Sequence, residues 1–500
     1  MAHGDARNLQ RLVDKTFIAC YFGGMKKLLT VVLTLLLVGC ASVPPAENVS
    51  YSVQTDENVQ NKQQTADPGQ NSTESGTDLP DTQDSAENDD LGEPNLVDAP
   101  SAADFALSSE IIEDDICKLR EDSYPRREWN DTASSFPAMS NISMPRTGTI
   151  NVKVVYVEWD DLKGTKNDYD YNLWSAKMFG EFYRVMSEGK LNFNVTSEPE
   201  WITVGSSWEV DAIPSGMEGG NAESTRYVQP VIDRWISALD PVVDFSGVDI
   251  LIYGLPSAEL VVDGLHTFDG GPIYAATQEG RIYDMFSLGQ RIYDHRESLP
   301  GWAQFSHEFG HSLGMPDLRD FSTADRSTKY IVNPMFGHDI MDNQDAGSRS
   351  ISGWMKWVQG WLDDSQVICV DADTVEAEYY ELTNANIVGA DSELLTVKVS
   401  DTMLIAVEST RWDSRFDLRT NNPADGVIVY TVDATLGHHE GPLKLLSPRD
   451  ITEYLSDDHI WPDWRVLDVV LLEGDSVTYE GITITVASSG ENSDIVRVSR

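Results

Sequence analysis

One run constrains this 500-residue chain more than any other: His307-Glu308-Phe309-Gly310-His311-Ser312-Leu313-Gly314-Met315-Pro316-Asp317. It reads HExxHxxGxxD and calls for a helix, a sharp stop and a returning segment. Residues four apart share one helix face, so His307 and His311 can aim both imidazoles at one point. Two neutral imidazoles at that spacing suit zinc. Glu308, beside the first of them, is placed to act as a general base. Gly314 can take a left-handed conformation and end the helix. Asp317 can then return as a third, carboxylate ligand. Three protein ligands leave a fourth position for water, the layout of a catalytic rather than a structural zinc site. The plain alternative is an amphipathic helix with two surface histidines, and the flanks fit it poorly. Pro300 and Gly301 break the chain just before the run. Trp302, Phe305, Phe309 and Leu313 then recur at near-helical spacing, opposite the histidines.

The beginning of the chain points to a compartment. Met25-Lys26-Lys27 leads into an apolar stretch from Leu28 to Leu37, a basic n-region and h-region of signal-peptide length. That stretch is short for a membrane span. Leu37-Val38-Gly39-Cys40 closes it and resembles the lipobox of bacterial lipoproteins, which implies cleavage before Cys40 and lipidation of its thiol. Residues 1–39 are read as a leader whose start is expected at Met25. A plain secretory signal with a chance cysteine is the alternative. Residues 40–110 hold Lys62 as their one basic residue and almost no aromatics. Such a composition cannot bury enough surface to fold, and is read as a solvated acidic tether. The expected location is the bacterial cell envelope, facing outside the cytoplasm, with the membrane as a partner through Cys40.

The chain carries a formal charge of −46, and removing the leader (five basic and two acidic residues) makes it about −49. This excludes nucleic acid and anionic lipid as favoured partners. It is compatible with bound calcium, for which Asp342-Asn343-Gln344-Asp345 has the residue types but not the EF-hand spacing. A solvated loop is the simpler reading of that cluster. With Cys20 in the leader and Cys40 lipidated, Cys117 and Cys369 remain. In an oxidising compartment they can form a disulfide joining the two ends of the catalytic unit. Free buried thiols, or Cys117 as a latch on the zinc, are the other readings.

The folded part divides by texture. Residues 111–365 alternate strand and helix patterns. Strands are expected at 150–159, 190–195 and 248–253, and helices at 174–186 and 223–239. A segment at 270–276 leads into an edge strand near the zinc helix, and a short Trp-rich helix spans 352–362. Residues 366–500 show short alternating segments separated by turn residues, at 394–399, 403–408, 426–432, 476–479, 481–486 and 494–498, the pattern of a β-sandwich-like domain. The fold class is therefore α+β: a mixed sheet with an active-site helix, followed by an all-β domain.

These segments together resemble the metzincin zinc peptidases, and among them the bacterial immune-inhibitor-A-type metallopeptidases. HEFGHSLGMPD at 307–317 is similar to that family's zinc segment, with Asp as the third ligand. HDIMD at 338–342 resembles its Met-turn, and WMKWVQGWL at 354–362 the helix after it. LIAVESTRWDSRFDL at 404–418, DGVIVYTVD at 425–433 and EGDSVTYEGITITV at 473–486 resemble its later strands. The resemblance covers about residues 148–500. It implies that His307, His311 and Asp317 bind zinc, that Glu308 is the base, and that Met341 forms a floor beneath the metal. Read without the family, Met341 is a loop methionine, for which core packing is the default. Tyr330 is the nearest candidate in sequence for an oxyanion donor, and His338 is a spare polar group that either binds substrate or caps a loop. Adjacent side chains on a strand point apart, so His438 and His439 read as an exposed loop rather than a metal pair.

The expected activity is zinc-dependent hydrolysis of internal peptide bonds in a protein or peptide substrate, by a monomer. The rival from another class is a catalytically inactive, surface-anchored protein- or glycan-binding lipoprotein. A hydrolase acting on a non-peptide amide is a third reading.

Overall fold

The computed structural model describes residues 105–108, 116–120, 134–138, 142 and 144–500, save 208–212, 214–224, 258–265, 268–272, 297–298, 321–332, 345–347, 418–424 and 450–468. The leader, Cys40, the tether up to residue 104, Tyr330 and Asp345 lie outside the described residues. Among the described residues no helix is long and apolar enough to cross a membrane.

The first half runs β1 (Gly148–Glu158), α1 (Lys166–Met186), β2 (Leu191–Thr203), α2 (Thr225–Leu239), β3 (Ile250–Gly254), β4 (His266–Thr267), β5 (Ala275–Ala276), β6 (Arg281–Ile282), β7 (Asp284–Ser287), α3 (Gln290–Asp294), α4 (Gly301–Ser312) and α5 (Gly353–Val358). Five of the strands form one sheet in the order β2-β1-β3-β7-β4. The first four are parallel, and β4 closes the edge antiparallel to β7. Strand β1 shows how the sheet is covered. Ile150, Val152, Val154 and Tyr156 enter one core, and Val155 and Val157 enter another. The two sets alternate because side chains along a strand point to opposite faces. Helix α2 covers the second face through Val228, Ile232, Trp235 and Leu239. Helices α1 and α4 cover the first, with Phe309 against Phe179 and Tyr183 at ring-centroid distances of 5.3 and 4.9 Å.

Helix α1 starts eight residues before the expected Trp174. Thr165 and Asp168 form a reciprocal capping box there, the Asp168 N–H donating to the Thr165 hydroxyl at 3.2 Å and the Thr165 N–H to the Asp168 carboxylate at 2.9 Å. This satisfies two donors that a helix start otherwise leaves unpaired. The expected edge strand at 270–276 is corrected. Its described end, β5, pairs with β6 in a separate hairpin, because Thr277 and Gly280 close a tight turn (Thr277 N–H to Gly280 C=O, 2.8 Å). The Gln229 side chain then pairs with both the N–H and the C=O of Tyr274, at 3.1 and 2.9 Å, so this segment is tied to α2. The main sheet has β2 and β4 at its edges, and β4 is the antiparallel one.

The second half holds β8 (Val367–Asp371), β9 (Ala377–Thr383), β10 (Leu394–Lys398), β11 (Met403–Thr410), β12 (Gly426–Asp433), β13 (Leu443–Leu445), β14 (Ser476–Tyr479), β15 (Ile482–Ser489) and β16 (Ser493–Ser499). They form a five-stranded sheet, β13-β12-β11-β10-β8, and a four-stranded sheet, β14-β15-β16-β9. The two face each other across Leu395, Ile405, Val407 and Val429 on one side and Leu382, Ile484, Val496 and Val498 on the other. The outer face of the five-stranded sheet is buried too. Leu394, Leu404, Ile428, Tyr430 and Val432 join the same core as α1, α4 and α5. One apolar core therefore runs across position 365.

The segment before β1 belongs to this body. Phe105–Ser108, at the far end of the expected tether, meets β9, with the Ser108 N–H donating to Tyr379 C=O at 2.8 Å. Cys117 and Leu119 are buried in the core. Cys117 is disulfide-bonded to Cys369 on β8. A bonded sulfur offers no thiolate, so the readings of free thiols and of a zinc latch at Cys117 are set aside. The cluster at 342–344 is also corrected. Asp342, Asn343 and Gln344 are buried rather than solvated.

Candidate metal centre

Helix α4 presents the site because its other faces are occupied. Trp302, Phe305 and Phe309 fill the core, and the Ser312 hydroxyl donates to Asp284 of β7 at 2.5 Å. After Leu313 the chain turns at Gly314, with φ +82°. The Met315 N–H reaches back to Gly310 C=O at 2.9 Å, a closing bond of the kind that a left-handed glycine allows. Asp317 is thereby brought under the two histidines.

His307, His311 and Asp317 each contribute one ligand-type atom to a group whose members all lie within 4.8 Å of one another. His307 Nε2 is 3.1 Å from Asp317 Oδ1, and His311 Nε2 is 3.8 Å from Oδ2. The tautomers follow from the other ring nitrogens. His307 Nδ1 lies 2.8 Å from Ile340 C=O, and His311 Nδ1 lies 3.0 Å from Met315 C=O. A carbonyl only accepts, so each Nδ1 carries a hydrogen, and in the neutral ring Nε2 is left with a lone pair. Asp317 Oδ1 is buried and has no hydrogen-bond partner. Two nitrogen lone pairs and a carboxylate oxygen thus face one another with no donor between them. Burying such a group is unfavourable unless something positive sits among them. These buried His and Asp side chains form a group able to bind a metal ion.

The electrostatics agree. Burial raises the Asp317 carboxyl, but His311, His307 and His439 beside it outweigh this and hold it well below the usual range. Burial lowers His307, yet Asp317 carries it above its ordinary value, while burial leaves His311 below.

Glu308 projects from the same helix and is partly exposed. Its carboxylate accepts from Gln304 Nε2, one turn earlier, at 2.5 Å. Gln304 Oε1 accepts from Gln344 at 3.3 Å, and Gln344 in turn accepts from Arg319 at 2.6 Å. Met341 is buried directly below the helix, against Gly310. Its turn is fixed by Asp339, whose two oxygens accept from the N–H groups of Met341 (2.9 Å) and Ser352 (2.8 Å). Met341 C=O accepts from the Leu318 N–H at 3.1 Å, so the turn also holds the segment that follows Asp317. His338 is buried in this turn, 1% exposed.

His438 and His439 lie in a loop, as expected, but it is partly buried against Asp317 rather than exposed, which corrects that part of the expectation. Their rings lie 3.8 Å apart, and both reach Asp317. His439 has φ +61°, a left-handed conformation that breaks the alternation of a strand. Nothing in the local sequence signals it. Gln304 was equally silent, one polar residue on a helix among several. Among the described residues, each group of three or more side chains placed to hold a metal includes Asp317. None is an all-carboxylate cluster of the kind calcium takes. No family model matches the chain, and no curated protein matches it.

Proposed function

We propose that this protein is a zinc metalloendopeptidase with a metzincin-like catalytic region, held in the bacterial cell envelope by a lipid on Cys40. The observation that carries the reading is the convergence of His307, His311 and the Asp317 carboxylate beside a second carboxylate, Glu308, on the same helix as the histidines. Two imidazoles and one carboxylate are the donor set of hydrolytic zinc sites, and three ligands leave a position for water. Zinc held there supplies a Lewis acid that lowers the pKa of a water to about 7 and polarises a carbonyl. Glu308 takes the proton of the attacking water and passes it to the departing amine. Gln304 aims the Glu308 carboxylate, and the Asp339 turn holds Met341 and the first histidine in place. The antiparallel edge strand β4 offers main-chain groups for an extended substrate to pair with.

The test is cleavage of an unfolded protein substrate by the full chain, wild type beside Glu308→Ala, with and without a zinc chelator. Activity is expected only in the untreated wild type, and the variant is expected to retain its zinc. A Glu308→Ala protein that cleaves at the wild-type rate removes the peptidase reading.

A further inference from the structure

Asp317 is held by a loop that lies far away in sequence, between β12 and β13. Its N–H donates to His438 Nδ1 at 3.0 Å, and its C=O accepts from the His439 N–H at 3.1 Å. His439 Nε2 lies 2.8 Å from Oδ2 of the carboxylate. Asp320 and Glu440 continue the pairing as an antiparallel bridge, and the Gly441 N–H donates to Arg319 C=O at 3.3 Å. The two carboxylate oxygens therefore have separate surroundings. Oδ1 faces His307 at 3.1 Å, while Oδ2 lies against the His439 ring at 2.8 Å and is 3.8 Å from His311 Nε2.

Asp317, His438 and His439 also bring ligand-type atoms within 4.8 Å of one another, which raises a second metal as a competing reading. The hydrogen bond at His438 decides against it. A neutral imidazole has one N–H and one lone pair. Nδ1 of His438 uses its lone pair on the Asp317 N–H, so its Nε2 carries the hydrogen and has nothing to give a metal. His439 Nε2, hydrogen-bonded to a carboxylate oxygen that can only accept, is likewise a donor.

We infer that His439 is a positioning residue for the third metal ligand: its imidazole fixes Oδ2 of Asp317 and so presents Oδ1 to the metal, with the backbone of the 438–441 loop holding the rest of the residue. This rests on the zinc reading of His307, His311 and Asp317. It makes the C-terminal β region part of the metal centre. Partners that orient a metal ligand in this way typically matter 10–100-fold in affinity.

The experiment uses the full chain as wild type, His439→Ala, His439→Gln, His438→Ala and Asp317→Ala. Zinc affinity is measured by competition with a chromophoric chelator, and cobalt is substituted to record its visible absorption spectrum. His439→Ala is expected to bind zinc about 10–100-fold more weakly, with a shifted cobalt spectrum and a fall in metal-free melting temperature too small to account for the weaker binding. His439→Gln, which restores an N–H donor, is expected to recover most of the affinity. Wild-type affinity and spectrum in His439→Ala overturn the inference. So does a weakening that only parallels a loss of metal-free stability and that Gln does not rescue. A second equivalent of zinc in the wild type, lost in both His438→Ala and His439→Ala, overturns it in favour of a two-metal site. A wild type that binds no zinc removes the metal reading itself, and the Asp317→Ala control then shows no difference from it.

Discussion

Gly310 faces Met341 so closely that a Cβ at position 310 would lie 2.3 Å from the methionine sulfur. The glycine between the two histidines is therefore what lets the Met341 turn pass directly beneath the helix. Alanine is favoured over glycine inside a helix by about 1 kcal/mol, but overpacking a filled core costs about 1–3 kcal/mol. The clash wins because Met341 is fully buried. Gly310→Ala should lose up to about 2 kcal/mol of stability net, read from the urea midpoint. An unchanged or raised midpoint would mean that the turn yields freely.

Zinc should stabilise the fold as it binds. At a free concentration of 100 times Kd the gain is about 2.7 kcal/mol, seen as a rise in melting temperature. Asp317→Ala and His311→Ala should flatten that dependence. A wild-type melting temperature indifferent to zinc and to chelator would count against the centre.

Gln304 donates to Glu308 at 2.5 Å; on the proposed reading Glu308 is the base, and misplacing it costs rate rather than metal. Gln304→Leu should lower kcat by about 10–100-fold while zinc affinity stays at the wild-type level. Equal loss of both would point to damage to the helix instead.

Much of this site was legible because its parts are close in sequence. The spacing of His307, Glu308, His311, Gly314 and Asp317 carries the helix, the turn and the returning carboxylate within eleven residues, and β-branched runs marked β1 and most of the later strands. The capping box at Thr165 was readable in principle, but apolar periodicity alone starts α1 too late. What could not be read was long-range. His439 meets Asp317 across 122 positions, through a positive φ that the run Gly437-His438-His439-Glu440 does not announce. Nor does the shift in texture near residue 366 reveal that the five-stranded sheet is buried on both faces.

Burial pushes the Asp342 carboxyl up to about 7. Oδ2 accepts from the Gly337 N–H at 2.9 Å, and Oδ1 has no hydrogen-bond partner. The folded protein then keeps a proton that the unfolded chain releases near pH 4. Stability from this group is complete below that pH and is lost as pH rises to about 7, by about 4 kcal/mol at most. Asp342→Asn imitates the protonated form, so its unfolding free energy should lose that part of the slope between pH 4 and 7. Parallel pH profiles for variant and wild type would refute the assignment.

The Cys117–Cys369 bridge spans 252 positions. Replacing both cysteines with serine should cost about 2–5 kcal/mol, measured by denaturant unfolding with and without a reductant. The wild type under reducing conditions should match the variant.

The position of His439 also sets a timetable. Domains grow from the N-terminus at about 5–20 residues per second, so His439 is made about 6–24 s after Asp317, from the 122 positions between them. During that interval the nascent chain holds the run from His307 to Asp317 without the His439 ring that meets Oδ2 of Asp317. On the proposed reading, the metal centre takes its final geometry only once the β region has been made.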